Sequence, residues 1–164
     1  MNISLTKKEI MQGALVGVMR HTECIRRHTK LNQQDAKFGW QNDIEGALGE
    51  MAWAKAVNKY WSGASTFLEN GSSVSDVDDI EVRTTTLDGG KLILRVNDSD
   101  TKRFVLVTGL DGKYVIRGFI FGSEGKQQRF ISAPNRRTAA FFVPQEELYN
   151  INELFKENQA VQEQ

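Results

Sequence analysis

The sequence predicts an α+β fold: two N-terminal helices packed on a mostly antiparallel sheet of four to five strands, closed by a short C-terminal helix. Three observations predict it. Apolar residues recur at helical spacing through the first sixty positions. From Ile80 the pattern changes to short runs of alternating apolar and polar residues, separated by turns rich in Gly, Asp and Asn. After Pro144 the helical spacing returns in Leu148, Ile151 and Leu154. At 164 residues the chain is read as one domain spanning 1–164, large enough for a sizeable core.

Thr6-Lys7-Lys8-Glu9 has the capping-box pattern and opens a first helix, Lys7 to Arg27, with Ile10, Ala14 and Val18 at helical spacing beside Met11, Leu15 and Ile25. Its last turn collects Arg20, Arg26, Arg27 and His28, which complements the helix dipole, a phosphate-contacting cluster being the functional alternative. Residues 30–42 read as a polar loop with Trp40 as a packing anchor. Asn42 or Asp43 caps a second helix running to Tyr60, with Ile44, Leu48, Met51 and Ala52 as its buried stripe. Gly46 and Gly49 cost helix stability, so the close approach of another backbone or a ligand is expected there. Ile80 to Thr86, Lys91 to Asn97, Phe104 to Thr108 and Tyr114 to Phe121 are then four strands joined by tight turns, an antiparallel meander. Gln128 to Ser132 is a short edge strand, Pro134-Asn135-Arg136-Arg137-Thr138 a basic loop, and Gln145 to Phe155 the closing helix, with a polar tail over 157–164.

Composition excludes several classes. Hydrophobic content of 40% and charged content of 26% are those of an ordinary globular chain. No apolar run approaches the ~20 residues that span a bilayer. The first residues lack a signal peptide's pattern, and the single Cys24 cannot form an internal disulfide, so a cytoplasmic protein is expected. Net charge is zero but uneven: residues 62–100 carry three basic and eight acidic side chains. No Cys/His zinc spacing, phosphate-binding glycine loop or nucleophile elbow is present.

The acidic stretch Ser75-Asp76-Val77-Asp78-Asp79-Ile80-Glu81-Val82-Arg83 carries the functional expectation. On a strand, Ile80 and Val82 face a core while Glu81 and Arg83 project together from the other side. Asp76 enters just upstream, with Asp78 and Asp79 as neighbouring candidates. Glu45 and Glu50 lie five residues apart on the second helix, about 140° around it, so both cannot point at one ion. Glu50 is the preferred ligand and Glu45 a supporting neighbour, as are Asp79 and Arg95. Such a set suits Mg²⁺ or Mn²⁺, hard cations that take oxygen ligands. Its chemistry is phosphodiester hydrolysis, with Arg83 stabilising charge and Arg136 and Arg137 contacting a DNA backbone. A surface ion pair between Glu81 and Arg83, and solvated basic loops, are the plain alternatives.

A helix acid in Ile44-Glu45-Gly46-Ala47-Leu48-Gly49-Glu50, then Asp76, then Glu81-Val82-Arg83 on a strand resembles the PD-(D/E)XK nuclease superfamily, and in particular small phage-encoded members. Asp98 and the closing Phe142-Val143-Pro144 share in the likeness, which covers about residues 42–150. The resemblance implies a restriction-endonuclease-like core and a metal-dependent endonuclease of phage or prophage type in a host cytoplasm. It implies Asp76, Glu81 and Glu50 as metal ligands, with Arg83 where the family has lysine. Guanidinium stays protonated and cannot act as a general base. A non-catalytic relative that binds a host protein or nucleic acid is therefore the alternative, and a homodimer is left open.

Overall fold

The computed structural model describes residues 1–26, 33–63, 76–133 and 139–155, with residues 33–38 as backbone alone. The chain runs β1 (Asn2–Ser4), α1 (Lys7–Arg26), α2 (Gln33–Ala56), β2 (Ile80–Thr85), β3 (Leu92–Leu94), β4 (Arg103–Leu110), β5 (Lys113–Phe121), a single turn α3 (Gly122–Gly125), β6 (Ile131–Ser132) and β7 (Ala140–Val143). The fold is α+β with two mostly antiparallel sheets, ordered β1-β5-β4-β2 and β3-β7-β6.

Alternation along β4 explains the layering. Val105 and Val107 face α2 and join Leu48, Met51, Ala52, Val82 and Ile116 in one apolar cluster. Phe104 and Leu106 face the other way and join Ile120 of β5 and Leu92, Leu94, Phe141 and Val143 of the smaller sheet in a second. The larger sheet is thus apolar on both faces, with helices on one side and three short strands on the other.

The expected meander does not form. β2 pairs with β4 in parallel, Ile80 opposite Arg103 and Arg83 opposite Leu106. β3 belongs to the smaller sheet, antiparallel to β7. The turn at Asp88-Gly89-Gly90 exists, with Gly90 N–H donating to the Leu87 carbonyl at 2.9 Å. It swings the chain off the larger sheet because Leu92 and Leu94 are both fully buried against the second cluster. The hairpin at Asp111-Gly112 forms as expected, both residues holding the positive φ of 54° and 83° that a tight two-residue turn requires. β1, which the sequence reading passed over, adds to β5 at the far edge.

The helices depart from expectation in two ways. The capping box of α1 is present: Thr6 N–H donates to Glu9 Oε2 at 2.5 Å and Glu9 N–H to Thr6 Oγ1 at 3.3 Å. The face it buries, however, is Gly13, Gly17 and His21, while Met11, Leu15, Val18 and Ile25 are exposed. A Cβ at Gly17 would meet the backbone of Ile44 and Asp43, so glycine is what lets the two helices touch. Meanwhile α2 begins at Gln33, so Trp40 and Asn42 lie inside it rather than in a loop. Asp43, expected as a cap, instead pairs with buried His21, Oδ2 to Nδ1 at 2.7 Å. Gly49 packs against Thr84 of β2, as a close approach demands, but Gly46 faces open space.

The chain's end also differs. Gln145–Glu147 forms a 3-10 turn, Tyr149 bridges to Phe119, and only residues 151–155 are helical, with Ile151 and Leu154 buried. The tail over 157–164 and the basic loop with Arg136 and Arg137 lie outside the described residues.

Candidate functional site

Among the described residues β2 has one strand neighbour, β4, and no strand pairs with its other edge. Residues 77–80 turn tightly, Ile80 N–H donating to the Val77 carbonyl at 3.0 Å, with Asp78 at φ 55°. The turn folds Asp76 back along that open edge. There its Oδ2 accepts a hydrogen bond from Val82 N–H at 2.7 Å, satisfying a strand donor that no neighbouring strand takes up.

Asp76 is where the two faces of the sheet meet. Burial, then the negative field of Glu50, push its carboxyl up to about 7; the Val82 N–H opposes this, the field of Glu81 adds to it, and Arg20 opposes it. Three carboxylates from α2, the turn and β2 therefore share one electrostatic neighbourhood. Of the neighbouring aspartates, Asp78 stands 3.7 Å from Lys59 and Asp79 accepts from Arg103 at 2.8 Å, both largely exposed. The structure thus separates Asp76 from its neighbours, and Asp79 is a surface ion pair rather than a support for the site.

Each of the other two acids is held by cations of the chain itself. Arg20 grips Glu50 with two bonds, Nη1 to Oε1 at 2.5 Å and Nη2 to Oε2 at 2.8 Å, and the Trp61 indole N–H donates to Oε2 at 3.1 Å. Burial works against the charge of Arg20, but the bonds and field of Glu50, with Asp76 and Asp43 behind, carry its pKa above the usual value. Lys102, just before β4, donates from Nζ to Glu81 Oε1 at 2.5 Å. Arg83 lies 3.8 Å from Glu81 Oε2, donates to Asp98 Oδ2 at 3.0 Å and rests over the Phe104 ring at 5.2 Å. Among the described residues, no three His, Cys, Asp or Glu side chains are gathered as a group that could hold a metal ion.

Two supporting roles need correction. Glu45 is buried, but its partners are the Tyr114 hydroxyl, donating to Oε2 at 2.6 Å, and Gln41 Nε2, donating to Oε1 at 2.9 Å. Tyr114 is on β5, two strands from β2, so Glu45 serves the far side of the sheet. The same contact, after burial, raises the Tyr114 hydroxyl far above its ordinary pKa. The Arg95 side chain is exposed. Its backbone N–H donates to Asp98 Oδ2 at 2.8 Å and so steadies the carboxylate that holds Arg83.

Sequence reasoning missed Arg20, Trp61 and Lys102. Arg20 was assigned to the helix dipole. Lys102 is found only through the parallel pairing of β2 with β4, which no local pattern announces. Among the described residues no helix is long and apolar enough to cross a membrane. No protein-family model, curated protein or solved structure matches the chain.

Proposed function

We propose that the chain is a metal-dependent phosphodiester hydrolase, a DNA endonuclease with a restriction-endonuclease-like core, of phage or prophage type and acting in a host cytoplasm. One observation carries the reading: Asp76, buried at the edge of β2, feels the negative fields of Glu50 from α2 and of Glu81 from β2, which add to the larger effect of burial in pushing its carboxyl up to about 7. Such crowding of acids is what a cation site looks like in terms of charge. The donors are all oxygens, which fits Mg²⁺ or Mn²⁺. Glu50, Asp76 and Glu81 would hold the ion, Glu50 turning from Arg20 and Glu81 from Lys102.

When bound, the ion supplies a more acidic water and charge neutralisation on the phosphate. The chain's own groups do the rest. Arg83, fixed by Asp98, stays protonated and stabilises negative charge on phosphoryl oxygens. Lys102 is a second cation beside Glu81 and would add to the positive charge facing the phosphate. Before the ion binds, Arg20 and Trp61 hold Glu50 in place. Arg136 and Arg137 would contact the DNA backbone.

The test is plasmid nicking by the purified chain with Mg²⁺ or Mn²⁺. Wild type nicks, and Glu81→Ala loses all activity. Nicking that survives Glu81→Ala refutes the assignment.

A second reading has its own support: Glu50 and Glu81 are each already neutralised by a cation of the chain. On this reading the chain keeps a nuclease-like fold without catalysis and binds a host protein or nucleic acid. Calorimetry separates the two. No heat of Mn²⁺ binding, together with a stoichiometric host partner, favours the second.

A further inference from the structure

A cavity of about 610 Å³ lies beside the acid site along the seam of α1 and α2, within the size range of ligand pockets. Its position follows from helix geometry. Val16 lines it four residues before Arg20 on α1, and Ala54 lines it four residues after Glu50 on α2, so its lining begins about one helical turn, ~6 Å along each axis, from the two residues of the clamp. Trp61 is common to both, lining the cavity while its indole N–H holds Glu50.

The lining is mixed in a particular way. Val16, Met51 and Ala54 make an aliphatic floor. Tyr60, 87% exposed, stands on one wall and Leu15, 61% exposed, lines the cavity from α1. Left-handed Asn58 and Gly63 bracket Tyr60 and Trp61 in a short loop, and the Asn58 and Gln12 amides line the same space. Lys59, half-exposed, is tied only loosely to Asp78 at 3.7 Å. Two aromatic rings among apolar side chains, with the amides for polar contacts and the Lys59 ammonium sharing the lining with a Glu9 carboxylate already paired with Lys55, are the chemistry that receives an unstacked nucleobase and its phosphate.

We propose that this cavity holds one base of the strand presented to the acid site, so that the substrate is single-stranded or locally unpaired nucleic acid. The proposal rests on the hydrolase reading for what happens at the acids, but not for binding. Duplex DNA keeps its bases stacked and offers none to the cavity.

Fluorescence anisotropy of the full chain in EDTA, with a short labelled oligonucleotide alone and as a duplex of the same sequence at fixed salt, tests it. Calorimetry with Mn²⁺ runs in parallel. Wild type prefers the single strand. Tyr60→Ala weakens single-strand binding roughly tenfold, the usual loss of one stacking face. Tyr60→Phe, which keeps the ring, binds as wild type, and all three take up Mn²⁺ equally. Because Tyr60 is exposed, neither change endangers the fold. A duplex preference, or binding indifferent to Tyr60→Ala as expected of a groove for a peptide side chain, overturns the proposal. If Mn²⁺ binds and nicking needs Glu81 while Tyr60 has no effect, the cavity proposal falls alone. If Mn²⁺ does not bind but the Tyr60 dependence stands, the hydrolase reading falls and the cavity proposal holds.

Discussion

Asp76 is caught between burial and a hydrogen bond. Burial and two neighbouring carboxylates favour its neutral form, while the Val82 N–H and Arg20 favour the charged one, and the first group wins by a margin that puts its titration near 7. In the unfolded chain an aspartate titrates near 4. Between those values the folded chain binds the extra proton, so folding is favoured by Asp76 below pH ~4 and that contribution is lost as pH rises through 7. Replacing Asp76 with Asn keeps an acceptor for Val82 N–H and removes the titration. In the metal-free protein, Asp76→Asn is therefore expected to be more stable than wild type at pH 8, by on the order of 3 kcal/mol. The gap should close near pH 4. Urea melts at both pH values check this, and a pH-independent gap would mean that Asp76 is not the titrating group. Glu50 and Glu81 differ in kind, because each has a guanidinium or ammonium in direct contact.

At the scale of elements, the seam between α1 and α2 sets where Arg20 and Glu50 meet. The two helices approach closely because α1 presents Gly13 and Gly17 to α2, where a Cβ would fall on Leu48 and on the Ile44 backbone. Backbone cannot step aside as a flexible side chain can. Gly17→Ala should thus destabilise by about 1–3 kcal/mol, the usual cost of overpacking, and displace the Arg20 clamp. Gly46 is the control: it lies inside α2 with nothing within 4 Å of an added Cβ. Gly46→Ala should stabilise by about 0.5–1 kcal/mol through helix propensity alone. Opposite signs in denaturant melts are the check, and equal signs would show that the seam is looser than described. Of the apolar residues at helical spacing on α1, Ile10 packs against the core, whereas Met11, Leu15, Val18 and Ile25 face outward because glycine gives the closer helix contact.

At the scale of the whole molecule, one sheet carries two apolar clusters on opposite faces, and β4 contributes to both. Damage to either cluster should therefore be felt by the other. Leu106→Ala, in the cluster away from the helices, removes a side chain that is 1% exposed. It should cost about 2–5 kcal/mol while unfolding remains a single transition, with coincident far-UV and tryptophan fluorescence melts; two separated transitions would show that the layers unfold independently. The same sheet explains the site. Glu50 comes from the helical layer and Glu81 from the face turned to the smaller sheet, and they share a neighbourhood only because β2 is an edge that Asp76 can wrap.

The amino-acid sequence alone determined much of this protein. The capping box of α1, the strands around 80–85, 103–110 and 113–121 and the Asp111-Gly112 turn follow from periods and turn chemistry that act over a few residues, and the same strand pattern names Asp76 and Glu81 as candidates. Glu50 was legible over Glu45 because five residues of helix turn the two acids apart. Tertiary structure alone decided the rest. The parallel partnership of β2 and β4, the transfer of β3 to a second sheet, the burial of Gly13 and Gly17 rather than Met11 and Leu15 on α1, and the cations Arg20 and Lys102 on the candidate acids all depend on residues distant in sequence. Their positions are set by which apolar faces can be covered together, a quantity that no short window contains.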